Sequence, residues 1–167
     1  MVRPTQAEQE TPVSQRYAAR TDVPVERSRM EIERMLTRYG ADQFVSGWDQ
    51  RASMIGFRIG GRVVRLEIPM PDRANRDITH SQTGTRRSPT QAQKAYDQAT
   101  RQRWRALKLV LTAKLEAVAA GITTIEQEFL ANLILPTGQT IGEWAGPQLE
   151  AIYERGALPA LLPGAEP

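Results

Sequence analysis

The chain of 167 residues contains no cysteine, which excludes structural disulfides, thiolate metal sites and cysteine nucleophiles together. Histidine is nearly as scarce: His80 is the only one, so no His-paired metal site can be built and a single imidazole is left for acid–base chemistry. Apolar runs are broken by charge well before the roughly 20 residues a bilayer span requires. Met1 to Thr21 is polar and lacks the apolar core of a signal peptide. Neither G-x-G-x-x-G before a helix nor G-x-x-x-x-G-K-[ST] occurs, so nucleotide hydrolysis has no phosphate cradle. These absences lead us to expect a non-enzymatic, cytoplasmic protein with no membrane span, no metal and no cofactor.

What is abundant is arginine, and its placement matters more than the formal net charge of +3. Residues 1–50 carry a net charge of −1, residues 51–115 of +10 and residues 116–167 of −6. Of the 22 basic residues 19 are Arg, the side chain whose planar fork suits bidentate phosphate contact and stacking on bases. GC-rich coding explains an excess of Arg over Lys but not its concentration in the middle of the chain.

The length fits one core. Residues 1–22 read as a flexible arm, 23–156 as a single domain and 157–167 as a proline-bounded tail with apolar Leu158, Leu161 and Leu162. Ser28-Arg29-Met30-Glu31 has capping-box spacing, followed by Ile32, Met35, Leu36 and Tyr39 at helical intervals and by Gly40 as a stop. A strand is expected over 41–48. Two alternating runs then flank Gly60-Gly61, a two-residue hairpin turn, and place Phe57 opposite Val64, Ile55 opposite Leu66 and Ser53 opposite Ile68. Pro69 to Ser88 has no apolar period and reads as a long mobile loop.

Ser88-Pro89-Thr90-Gln91 combines a cap, a first-turn proline and a third-position glutamine, opening a long helix that ends at Ala120 before Gly121. At 100° per residue that helix separates into an apolar stripe (Trp104, Leu107, Leu111, Leu115, Val118), an alanine stripe and a basic stripe (Lys94, Arg101, Arg105, Lys108). Thr123 and Glu126 are spaced as a further capping box, with Ile125, Phe129, Leu130 and Leu133 turned inward. Leu135-Pro136-Thr137-Gly138 is a turn. A last helix over 143–155 is expected to pack through Trp144, Leu149, Ile152 and Tyr153 and to stop at Gly156. The class is therefore α+β: an N-terminal helix, a three-stranded antiparallel sheet with a Gly-Gly hairpin, a long helix, then short C-terminal helices.

Asp72, Asp77 and His80 form a D-x₄-D-x₂-H group within the loop, a weak basis for a metal-dependent hydrolase or nuclease. The glutamates of the acidic last third fit the outer faces of helices. Arg58, Arg62, Arg65, Arg86, Arg87, Lys94, Arg101, Arg105 and Lys108 are instead expected to converge on one surface that neutralises phosphates, if the long helix packs beside the hairpin.

Three stretches carry a resemblance: 17–29 (Tyr-Ala-Ala-Arg-Thr with Val-Pro-Val-Glu-Arg-Ser-Arg), 101–107 (Arg-Gln-Arg-Trp-Arg-Ala-Leu) and 121–144 (Gly-Ile-Thr-Thr through Gly-Glu-Trp). In these the chain resembles an uncharacterised family of small bacteriophage and prophage proteins, which implies a mobile-element origin in a bacterial host but supplies no activity and no site residues. The order of three strands and a long helix is similar to the core of single-strand annealing proteins, which bind DNA along a basic groove between hairpin and helix. The basic hairpin-plus-helix surface, set beside this element order, leads to the expectation of a phage-type nucleic-acid-binding accessory protein of recombination or replication, with single-stranded DNA as the favoured partner. The alternative is a protein-interaction module, such as a phage inhibitor of a host defence complex; self-association is compatible with either.

Overall fold

A computed structural model describes residues 24–49 and 52–156. The expected arm and tail lie outside the described residues. Helix α1 covers Val25–Arg38, strands β1, β2 and β3 cover Gln43–Trp48, Ala52–Ile59 and Arg62–Pro69, and a one-turn helix α2 covers Arg76–Thr79. Helix α3 spans Pro89–Ala119, α4 spans Ile125–Phe129 and runs into a 3₁₀ turn at Leu130–Asn132, and α5 spans Ile141–Arg155. The chain is α+β, in the element order expected.

The sheet is antiparallel in the order β1-β2-β3, and its hairpin has the expected register, with Phe57 opposite Val64, Ile55 opposite Leu66 and Ser53 opposite Ile68. Gly60 and Gly61 both have positive φ, +56° and +72°, the backbone of a two-residue turn that matches strand twist and that a Cβ would oppose. One face of the sheet is buried under α1 and α3: Ile55, Phe57, Val64 and Ile68 meet Ile32, Met35 and Leu36 from α1 and Trp104, Leu111 and Leu115 from α3. Phe129 closes this core edge-to-face on Phe57, with ring centroids 5.6 Å apart. The free edge of β3 is covered by the segment after α4, where Ile134 N–H donates to Val63 O at 2.9 Å.

Helix α1 starts four residues earlier than the capping-box reading placed it. Pro24 is its N-cap, Ser28 lies one turn inside, wholly buried, and its hydroxyl has no hydrogen-bond partner. Glu31 is thereby released from capping and faces α3. The helix cap that does form as expected is at Ser88, where Oγ accepts from Gln91 N–H and the Gln91 side chain accepts from Ser88 N–H. At 31 residues α3 is about 46 Å long. Its second half lies on the sheet and its first half extends alongside residues 70–88.

That 70–88 stretch is structured, contrary to the mobile loop expected. Asn75 caps α2 through Asp77 N–H, Ile78 is buried, and His80 bridges Arg86 across a tight turn at Gly84. Further along, the cap of α4 is Thr124 with Gln127, one residue on from the Thr123/Glu126 pairing anticipated. Phe129 and Leu133 point inward as expected, but Leu130 is exposed because the helix tightens to 3₁₀ there and rotates it outward. The largest departure is α5. It begins at Ile141 on a Thr140/Glu143 capping box, and no residue of it is buried. Trp144, Leu149, Ile152 and Tyr153, expected to pack, are 55–64% exposed. Gly156 follows with extended rather than left-handed backbone.

Candidate nucleic-acid interface

The nine cationic side chains singled out from the sequence do not form one free surface. Arg58 and Asp42 make a bidentate pair, with Nε and Nη2 each 2.8 Å from a carboxylate oxygen. The same contact holds the Asp42 carboxyl below its ordinary pKa and the Arg58 guanidinium above its own. Arg62, at the hairpin turn, lies 3.3 Å from Glu126 at the start of α4. Arg65 donates to both oxygens of Glu143, at 2.8 and 3.0 Å, and to Gly138 O at 3.1 Å. Backbone N–H donation from Thr140, and then Arg65, hold the Glu143 carboxyl below its usual range.

Two members of the basic stripe are likewise neutralised. Helix α1 runs parallel to the second half of α3, so Glu31 meets Lys108 and Arg105 and also pairs along its own helix with Arg27. The Lys108 ammonium is the main cause of a lowered Glu31 pKa, partly offset by burial. The expected convergence of Arg58, Arg62, Arg65, Arg105 and Lys108 is therefore corrected. Hairpin and helix are adjacent, but carboxylates from Asp42 just before β1 and from α1, α4 and α5 pair with these five guanidinium and ammonium groups.

The remaining four lie on the 81–87 turn and along the first half of α3. Arg87 is committed to the fold itself, since its guanidinium donates to the carbonyls of Asp77 and Ile78 and its N–H to Thr79 O, fastening the 70–88 segment in front of α3. Arg86 and Lys94 flank an open cleft of about 540 Å³ between the turn at 81–87 and the first turns of α3. Ser81, Thr83, Thr85 and Gln91 also line the cleft, the Ser81 and Thr83 hydroxyls lying 2.8 Å from one another and the Gln91 amide oxygen accepting from Ser88 N–H. Further along α3, Arg101 Nη2 donates to Gln98 at 2.7 Å, while its buried Nε has no partner. Among the described residues Arg86, Lys94 and Arg101 have no carboxylate within ion-pair distance.

Cations with hydroxyl donors around an open cleft match the oxygens of a phosphodiester, which accept charge-assisted hydrogen bonds. The hydroxyl contribution was missed from the sequence. Its signal is the alternation Ser81-x-Thr83-x-Thr85, which places three hydroxyls on one turn only once Gly84 adopts φ +83°. The Asp72/Asp77/His80 group does not assemble: among the described residues no three His, Asp or Glu side chains gather as metal ligands, and His80 Nδ1 lies 2.9 Å from Thr79 Oγ1. No described helix is long and apolar enough to cross a membrane. Neither a protein-family model, nor a curated protein, nor a solved structure matches the chain.

Proposed function

We propose that this protein binds nucleic acid, single-stranded DNA in the first instance, through a surface smaller than the sequence suggests: the cleft of Arg86 and Lys94 together with Arg101 on the same flank of α3. The observation that carries the reading is that, among the described residues, these three have no ion-pair partner while five other candidates are paired. Residues 70–103 contain seven basic and three acidic side chains, so the local field attracts a polyanion. A role as an accessory to recombination or replication is suggested by the element order shared with single-strand annealing proteins, and a phage setting by the family resemblance. In this reading the protein has no catalytic step.

The test is a titration of labelled single strands and duplex at two salt concentrations. Binding should weaken as salt rises, with a slope in log–log form of about −2 if three phosphates are neutralised on a single strand. The triple variant Arg86→Ala, Lys94→Ala, Arg101→Ala should lose it, whereas Arg58→Ala with Arg62→Ala should bind as wild type. Unchanged affinity in the triple variant, or affinity indifferent to salt, rejects the proposed surface.

A second reading, protein interaction, is favoured by a separate observation. The apolar side of α5 is exposed although its residues are of the kind that cores are made from.

A further inference from the structure

The cleft between the 81–87 turn and the first turns of α3 is rich in donors and holds no counter-charge. The cations Arg86, Arg87 and Lys94 line it, whereas no carboxylate does among the described residues, and Ala95 supplies its apolar lining. The bonds of Arg87 to the carbonyls of Asp77 and Ile78 fix its guanidinium without neutralising it. Beside the same turn, Arg76 Nη2 lies 3.8 Å from where a Cβ on Gly84 would stand. Among the described residues Arg76 too has no carboxylate within ion-pair distance.

Neutral donors are left over as well. Of the two protons on the Ser81 and Thr83 hydroxyls one is spent between them and the other remains. Gln91 gives its amide oxygen and its backbone N–H to the cap of α3, which leaves its side-chain N–H groups unpartnered among the described residues. The start of α3 is thus satisfied by its own cap, and the binding capacity of the cleft resides in side chains.

The cationic track also ends here. Arg101 lies two turns along α3 from Lys94 on the same flank, about 10 Å by the helical rise. Beyond it Arg105 and Lys108 are taken by Glu31. In the other direction Pro89 to Gln93 carry no charge, and Arg73 is held on the opposite flank of α3 by Gln93 and the Tyr96 ring. A strand running through the cleft would therefore follow cations along α3 on one side only, whereas a strand ending in it would have its last phosphate met by several. An internal phosphodiester has a single negative charge; a terminal phosphomonoester has about −1.5 to −2 near neutral pH and three acceptor oxygens. No aromatic side chain lines the cleft among the described residues, so nothing in it stacks a base.

We infer that the cleft of Arg86 and Lys94 takes a phosphomonoester dianion, the terminal phosphate of a strand or of a free nucleotide, with Arg101 receiving the next phosphates when a strand follows. This deepens the nucleic-acid reading and shares its site.

The experiment is a competition titration on the full-length, nuclease-treated protein. The competitors are one short single strand bearing a 5′-phosphate, a 3′-phosphate or hydroxyls at both ends, and, apart from strands, adenosine 5′-monophosphate against adenosine. A phosphorylated end should bind about tenfold tighter than the hydroxyl-ended strand, the order expected of one added charge-assisted contact. Arg86→Gln and Lys94→Gln should each abolish that preference and Lys94→Arg should keep it, whereas Arg101→Gln should weaken all three strands alike. Equal affinity for all three strands, lost in the Arg86/Lys94/Arg101 variant, overturns the inference and leaves the nucleic-acid reading standing. Binding of adenosine 5′-monophosphate but of neither adenosine nor any strand upholds the inference, with a free nucleotide as the source, and overturns the nucleic-acid reading. Binding of no competitor overturns both. Should a variant fail to fold, the wild-type comparison of phosphate and hydroxyl ends decides alone.

Discussion

Glu31 governs more of the surface chemistry than any residue chosen for its charge. Its carboxylate accepts from Arg27 and Lys108 and lies 3.7 Å from Arg105, so it joins α1 to the basic stripe of α3. Because its pKa is lowered on folding, the stability it contributes is present above the unfolded value of about 4.3 and is lost as pH falls through the lower folded value. Asp42 and Glu143 are shifted in the same direction and contribute with the same sign. Glu31→Gln should therefore lower the urea midpoint more at pH 7 than at pH 3, because the wild-type carboxyl takes up its proton as the pH falls through its folded-state value. An equal loss at both pH values would show that packing rather than charge is what Glu31 supplies.

At the scale of elements, two serines with the same sequence signature have opposite physical roles. Ser88 caps α3, whereas Ser28 is a buried, unpartnered hydroxyl inside α1. Ser88→Ala should cost about 1 kcal/mol, the usual value of an N-cap. Ser28→Ala should be neutral or stabilising by up to about 1 kcal/mol, since it removes an unsatisfied buried polar group and improves helix propensity. Chemical denaturation of the two variants side by side decides this; a larger loss for Ser28→Ala would mean that its hydroxyl has a partner after all. The pair also shows why the cap of α1 was misplaced. S-x-x-E spacing describes a local option, and Pro24, one turn upstream, initiates the helix first.

Across the whole molecule the acidic last third acts as internal counter-charge for the basic middle. Glu126 and Glu143 reach back to Arg62 and Arg65, and Glu128 holds Lys114 at 3.0 Å. These contacts and Phe129 attach the C-terminal segment to the body, with Phe129 wholly buried against Phe57. Phe129→Ala should thus cost about 3–5 kcal/mol, read as a drop in thermal midpoint, and should loosen α4 and the β3 border together. Hydrogen exchange at Leu133 and Ile134 should rise in parallel. Protection unchanged there would place the attachment in the ion pairs instead.

Alternation at period two, Gly60-Gly61 and the Ser88-Pro89-Gln91 cap determined the hairpin register and the start of α3 from the sequence alone, because each rests on interactions between residues near in the chain or directly opposite in a ladder. The core stripe of Trp104, Leu111 and Leu115 was legible for the same reason. Which cations remain available for a ligand was decided only by the tertiary structure, since the partners of Arg58, Arg62, Arg65, Arg105 and Lys108 lie from 16 to 78 residues away and no local spacing encodes them. The exposure of α5 was likewise undetermined by its pattern. An amphipathic period states that a face wants cover, and only the folded arrangement shows that this chain leaves that face bare.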